Sequence, residues 1–570
     1  MKTHFRNPFV TLATRVLSSV NLPAPCAFGQ GTAFSHLWKI CVALVLISAA
    51  LSPKAAVLTV TSLADSGAGS LRDQVAASSP GDTIQFAITG TILLSSAINI
   101  THTLNVEGPG PSGLVIDANH VDRAFVTGGD PVLLSGMEIK NGFVVGTPGA
   151  DGGLGQNGMP GGDAYGGAIL NDSNSVSLIL SNCWIHNNTA QGGSGGRGGD
   201  NSPFEGNGTV GNGSDGGRGI GGALYATGDV FVANCTFSYN SAVGGDGGDG
   251  GNNTFLVAAL GGIGGNGGSA DGGAVHDTFS GNVTFKNSTF GINRADGGSG
   301  GNGGDSSGGP GGQGGNGGPS MGGAIATLIA SFYDNTIQTN FAYGGTPGSG
   351  GFGAPPGAGG LSLGGIAGGI FGSVLSCASH IGNTIIALNV ADGSHSNYFI
   401  GFTDDGYNFI STADYVCSPL ATTTQAGSVA MQLSPNLGPL GQYGGGLPTF
   451  PPREDSPVLD QGYSFGLSTD ERGAPRPYSF GLPVPPGGDG SDIGAVELGS
   501  SGLGLGTDTN NNLILSWPAY YGDLTLQFAT SLLGSSNWSV VPDTPVVVGS
   551  QFVVTNRMIN AMQFYRLMSH

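Results

Sequence analysis

Side chains able to do chemistry are thinly spread along this 570-residue chain. Asp404-Asp405 is its adjacent aspartate pair. Elsewhere the candidate acids, Asp172, Asp229, Asp277 and Asp334, fall at different registers. Lys140, Lys286 and Arg294 align with no carboxylate cluster, and His186 and His276 stand alone. General acid–base work needs such groups held within hydrogen-bond reach, so both histidines are expected as surface residues rather than as a base. Asp246 and Asp249, in Gly244-Gly245-Asp246-Gly247-Gly248-Asp249, match the first half of a calcium-binding GGxGxD repeat. The second half fails at Gly251, where an apolar residue is needed. Calcium there is therefore the lesser reading, and a spacer loop the plainer one. No CxxC pair is present, which leaves a zinc or redox site without support.

Composition removes whole classes of function. Glycine supplies 110 residues and charged residues only 9%. So much helix-breaking glycine excludes a helical bundle or coiled coil. The net charge of −20, with no basic patch, excludes a nucleic-acid binder. Residues 1–56 carry five Lys or Arg and no acid, so the remainder is near −25. Such a surface repels anionic lipids and phosphate and favours cations or neutral partners.

The elements that must position these groups show themselves as a repeat. Five segments align over nine residues without gaps: NCWIHNNTA from Asn182, NCTFSYNSA from Asn234, NSTFGINRA from Asn287, DNTIQTNFA from Asp334 and NTIIALNVA from Asn383. The seventh position is Asn every time: Asn188, Asn240, Asn293, Asn340 and Asn389. The fourth is a large apolar residue, the ninth is Ala, and a glycine follows two positions on. Upstream of each lies a second conserved step, such as Gly221-Gly222-Ala223-Leu224. A unit this short cannot bury its own apolar face, whereas stacked copies bury a continuous column. The aligned Asn amides then bond from coil to coil, each bond contributing about 1 kcal/mol.

This ladder resembles that of the right-handed parallel β-helix proteins of the pectate-lyase-like superfamily. The resemblance covers residues 57–498 and implies an all-β solenoid. Ser70 caps a short helix over 70–75, which in that family plugs the amino-terminal end of the stack. Strands are expected at 57–60, 81–86, 92–94, 104–106, 114–116, 125–126 and 132–134. Glycine loops at 191–220, 243–271, 296–321 and 343–367 follow a Gly-Gly-x rule and leave the same turn of each coil. They are expected as mobile spacers or as polyproline-like strands packed against each other.

Further motifs, from Gly406-Tyr407-Asn408 through Ser456-Pro457-Val458-Leu459-Asp460 to Asp492-Ile493-Gly494-Ala495, are similar to the choice-of-anchor region of β-helix proteins secreted by environmental bacteria. Arg472 and Arg476 are expected to pair with Asp470, Asp492 and Glu497 and close the end of the helix.

The domain reading is a leader at 1–56, a parallel β-helix with glycine loops at 57–400, its choice-of-anchor-like end at 401–498, a linker at 499–508 and a small β-sandwich at 509–570. In that last module Trp517, Trp538 and Tyr565 are expected in the core. The charge-free run from Ile40 to Pro53 has the length and flanks of a secretory signal. No carboxyl-terminal span is expected in the mature chain. Pairing among Cys183, Cys235, Cys377 and Cys417 is left open.

Galacturonan hydrolases of this fold carry Gly-His-Gly and Arg-x-Lys, and neither occurs here. The expectation is an exported, non-catalytic scaffold without a cofactor, at the cell surface or outside the cell, contacting polysaccharide or cell-surface components. The alternative is a polysaccharide lyase or glycoside hydrolase whose acids converge only in three dimensions.

Overall fold

The computed structural model describes residues 55–570 apart from 129–130, 173–176, 202–209, 256–258, 279–282, 373–377, 414–418, 500–502, 509–511, 519–523, 532–537, 549–550, 557–562 and 570. Residues 1–54 of the leader, Cys377 and Cys417 thus lie outside the described residues.

Residues 57–426 form a solenoid-like stack of parallel strands. One complete coil shows the plan. Among the described residues, Val230–Ala233 and Thr236–Ser238 join an 18-stranded sheet, hinged at Asn234. Ser241–Val243 joins a six-stranded sheet, Ala270–Asp271 a five-stranded one and Val275–Asp277 an eight-stranded one.

The nine-residue repeat produces this path through its corners. Its first residue has positive φ in every copy: Asn182 51°, Asn234 52°, Asn287 50°, Asp334 59° and Asn383 47°. Asn and Asp tolerate the left-handed region best among side-chain-bearing residues, which accounts for the Asx at this place. Its sixth residue turns the same way, even where it is Ile292 at 61° or Thr339 at 58°. A β-branched residue there is strained by roughly 1–3 kcal/mol, so the stacking on either side must over-determine the corner.

In-register pairing then stacks like on like. Leu180, Val232, Phe285, Phe332 and Ile381 form one buried column, and Ile185, Phe237, Phe290, Ile337 and Ile386 another. The Phe237 and Phe290 rings lie 5.0 Å apart and 7° from parallel, and Phe285 and Phe332 lie 5.2 Å and 14° apart. The expected helix, Leu71–Ala77, is capped by Ser70 Oγ, which accepts from the Asp73 amide, and buries Leu71 and Val75.

The described residues of the glycine segments are ordered. Backbone amides of Gly192, Gly195 and Gly198 donate to the carbonyls of Val243, Asp246 and Asp249, each at 2.8 Å. Gly193, Gly196 and Gly199 donate to Gly162, Met159 and Gln156 on the antiparallel side, also at 2.8 Å. Each chain therefore turns one edge in three to each neighbour, the geometry of a three-fold polyproline II helix. A Cβ on Gly195 would stand 1.9 Å from Ser214 O, and one on Gly196 2.0 Å from Ala150 O. Only every third residue faces out, and this is the Gly-Gly-x rule. The excursions thus form a second stack beside the first, and the spacer expectation gives way to the packed one.

Residues 504–569 form two antiparallel sheets, four-stranded and three-stranded among the described residues. Leu515, Trp517, Leu526, Val541 and Val554 share one apolar cluster with Leu459 and Leu498. Trp517 is buried, whereas Trp538 is half-buried with the Arg566 guanidinium 4.4 Å above its ring. No helix among the described residues is long and apolar enough to cross a membrane.

Candidate functional site

The five ladder residues come together in one buried column. Asn188 Nδ2 donates to Asn240 Oδ1 at 2.9 Å, Asn240 to Asn293 at 3.0 Å, Asn293 to Asn340 at 3.0 Å and Asn340 to Asn389 at 2.9 Å. Each Nδ2 also donates to a carbonyl of the preceding coil, as Asn240 does to Ile185 O at 2.9 Å. The Oδ1 atoms of Asn240, Asn293, Asn340 and Asn389 also accept the backbone amide of the Asn before them, and that of Asn188 accepts the Gly142 amide at 2.8 Å. Every amide is saturated, so the column holds the coils in register and offers nothing to a ligand.

A second column went unseen in the sequence. Ser288 Oγ accepts the Cys235 amide, Asn335 Oδ1 the Ser288 amide, Thr384 Oγ1 the Asn335 amide and Asn408 Oδ1 the Thr384 amide. Its residue types vary from coil to coil, and only their spacing could have signalled it.

Asp246 and Asp249 sit on the outer face of the glycine bundle, where each accepts the backbone amide one coil on, from Ser299 at 2.8 Å and Asn302 at 2.7 Å. Asp200, Asp215, Asn252, Asp305 and Asn316 do the same for later segments. Among the described residues no group of three or more His, Cys, Asp or Glu is placed to hold a metal ion. A furrow of about 260 Å³ runs beside Asp246, floored by glycine backbone and edged by Val145, Pro148, Gln191, Ser194 and Val243.

The outer face of the 18-stranded sheet brings three titratable side chains together. Glu138 Oε1 lies 3.0 Å from His186 Nε2 and 2.9 Å from Lys140 Nζ. The Trp184 ring stacks on the imidazole at 3.9 Å, and its Nε1 donates to Ser238 Oγ. Burial pushes the Glu138 carboxyl up, but the hydrogen bonds from His186 and Lys140 outweigh it and hold it below the usual glutamate value. This corrects one expectation, since His186 is buried; Lys140 meets the single carboxylate of Glu138. The pairing arises because register sets Trp184 against Glu138 and His186 against Lys140, across 48 residues of sequence. Glu138 lies in a coil that lacks the nine-residue repeat, so the alignment could not reach it.

The other expected groups scatter. Asp405 meets His380 Nδ1 and the Tyr333 hydroxyl, while Asp404 ties Gly406, Asn408 and Ala421. Arg294 pairs with Asp296 and stacks on Tyr343. Lys286 donates to Phe465 O. Asp277 is buried beside Thr327. His276 is half-buried rather than exposed: it stacks on Tyr225, and burial lowers it to about 4.

Residues 434–498 run back along the outer face of the 18-stranded sheet as a strap, rather than closing its end. Arg472 Nε and Nη2 both donate to Asp470 Oδ2, and Nη2 also reaches Glu497 O; Arg476 pairs with Glu497 at 2.8 Å and with Asp334 of the coils at 3.4 Å. Beneath the strap, threonines of three adjacent coils meet it: Thr236 and Thr289 touch Glu471, and Thr336 Oγ1 accepts the Ala495 amide. These contacts, up to 235 residues apart, carry no sequence signal.

No family model matches the chain, and no curated protein does. Three chains of solved structures match. One is a springtail antifreeze protein from Granisotoma rainieri, a nine polyproline type II helical bundle whose crystal waters match the ice lattice. It is 21% identical over 41% of this chain and 96% of its own, with a TM-score of 0.10.

Proposed function

We propose that this protein is an exported, non-catalytic scaffold: a right-handed parallel β-helix of the pectate-lyase-like kind, ending in a choice-of-anchor-like strap and a small β-sandwich. It works at the cell surface or outside the cell, in adhesion, matrix or glycan contact, with polysaccharide or cell-surface components as partners. The observation that carries this reading is where the polar side chains are spent. The Asn columns, the Asp and Asn of the bundle face and the arginines of the strap are each engaged in holding backbone or neighbouring coils. Little is left pointing at a ligand with the convergent geometry that catalysis requires.

The second reading, a polysaccharide lyase or glycoside hydrolase, is favoured by the Glu138–His186–Lys140 grouping beside Trp184. It places an acid, an imidazole and an ammonium within hydrogen-bond reach of one another next to an aromatic ring.

Purified residues 57–570, incubated with calcium and a panel of acidic and neutral polysaccharides, separate the two. The scaffold reading expects co-sedimentation without new chain ends. New ends that vanish in Glu138→Gln would replace it with the depolymerase. Calcium-dependent binding lost in Asp246→Asn/Asp249→Asn would restore the calcium reading at those residues.

A further inference from the structure

Glu471 is buried against the coils at the centre of the strap. Its Oε1 lies 2.8 Å from Thr236 Oγ1, and its Oε2 lies against Thr289 Oγ1. Thr236 Oγ1 also stands 2.9 Å from the carbonyl oxygen of Pro448. Protons do not suffice for these three contacts if Glu471 is ionised. Each hydroxyl owns one proton, and the Pro448 carbonyl can only accept. A carboxylate would therefore leave one oxygen–oxygen contact with no hydrogen between its atoms. A carboxylic acid resolves it: Glu471 donates to Thr236, Thr236 to Pro448, and Thr289 to Glu471.

Charge points the same way. Asp334, Asp460, Asp470, Glu471, Asp492 and Glu497 are all buried in and under the strap, with only Arg472 and Arg476 buried beside them. Arg472 is committed to Asp470, and Arg476 to Glu497 and Asp334. Two cations cannot neutralise six carboxylates, and an uncompensated buried charge is strongly unfavourable.

We infer that Glu471 is a proton-loaded latch, which fastens the strap over the Thr236–Thr289–Thr336 face when protonated and loosens it on ionisation. Burial is the chief cause that raises this carboxyl to about 8, against the hydrogen bonds of Thr289 and Thr236 and with Asp470 adding to the rise. The groups around it are the Cys235 thiol behind the sheet, Asp470 with Arg472 beside it on the strap, and Asp334, Arg476, Asp492 and Glu497 in the adjoining group. An acid raised in the closed state favours closing fully below the free glutamate range. That contribution is lost as pH rises through the interval up to about 8, and changes no further above it. Asp334, which burial raises to about 7 against Arg476, acts in the same direction, so the latch must be read as a difference between variants.

The test is hydrogen exchange of peptides from 434–498 in the full chain between pH 5 and pH 8, corrected for intrinsic exchange, in the wild type and Glu471→Gln. Glutamine fills the same site as a permanent neutral donor and acceptor. The wild-type opening constant should rise up to about tenfold more per pH unit than that of Glu471→Gln. Identical pH dependence in the two chains would overturn the latch. Glutamate carboxyl carbon NMR of the wild type gives an independent reading. The Glu471 resonance, assigned by its contacts to the Thr236 and Thr289 methyl groups, should still titrate near pH 8. Full ionisation of it by about pH 6, within the range of ordinary glutamates, would overturn the inference even if the variant failed to fold.

Discussion

The coils and the glycine bundle are two stacks built by the same chain, and they cohere by opposite means. In the coils, columns of Leu, Val, Ile and Phe fill the interior, and the backbone merely sets their spacing. In the bundle there is almost no side chain inside, and the backbones approach until only hydrogen fits between them. The first region tolerates one apolar residue for another as long as volume is kept. The second tolerates no carbon at all at two positions in three. A protein can therefore make an ordered wall from a sequence that composition alone would class as low-complexity, provided the period of three is kept and each chain has neighbours to accept its amides.

The difference is tested most severely by a side chain placed inside the bundle. Gly248→Val should dissolve the local bundle, because a Cβ there would sit 2.0 Å from Gly196 O, a backbone atom that cannot move aside. We expect destabilisation of that arm by more than about 4 kcal/mol, seen as proteolysis within 192–218 and 244–269 while the coil strands, such as Val230–Ala233, stay protected.

In the coils, Phe285→Ala should cost about 3–5 kcal/mol, since it opens a cavity between Phe332 and Phe290. Denaturant unfolding of the whole stack measures it, and Phe285→Leu should recover most of the loss.

Asn293→Ala comes next, at about 2–3 kcal/mol. It strands the Asn240 amide and side chain, which now bond Asn293 Oδ1 at 3.1 and 3.0 Å. Asp249→Ala should be the mildest, under about 1 kcal/mol, because the Asn302 amide it releases is exposed and water replaces the carboxylate. Were Asp249→Ala to cost more than Asn293→Ala, the bundle face would be holding the molecule together and the ranking would be reversed.

What the sequence disclosed follows the same division. The ladder of Asn188 through Asn389 was legible because one residue type recurs at a fixed offset from Ile or Phe and from Ala, and in-register stacking demands that recurrence. The Ser288–Asn335–Thr384–Asn408 column does an equivalent task with three residue types, since hydroxyl and amide oxygens accept a backbone amide equally well, and so it left no pattern. The left-handed corners were half visible: Asx marks the first of each repeat, while Tyr239, Ile292 and Leu388 at the second give no warning. The bundle's three-fold period was plain in Gly192-Gly193-Ser194-Gly195-Gly196-Arg197, but whether such chains pack depends on partners some fifty residues away. The strap lay beyond local reasoning altogether. Thr236, Thr289 and Thr336 read as ordinary strand residues until Glu471 and Ala495 are seen to rest on them. His186 fell to the same limit, because its partner Glu138 is a neighbour only across the stack.

Amide hydrogen exchange on the intact chain tests the central claim, that the glycine segments form a wall built from backbone rather than a set of spacers. Glycine amides at 192, 195 and 198 should be protected to the same order as those of the coil strand at 230–233, and should open together with their neighbours at 244–251. Exchange of those glycines at the rate of a free chain, with the coils still protected, would contradict it.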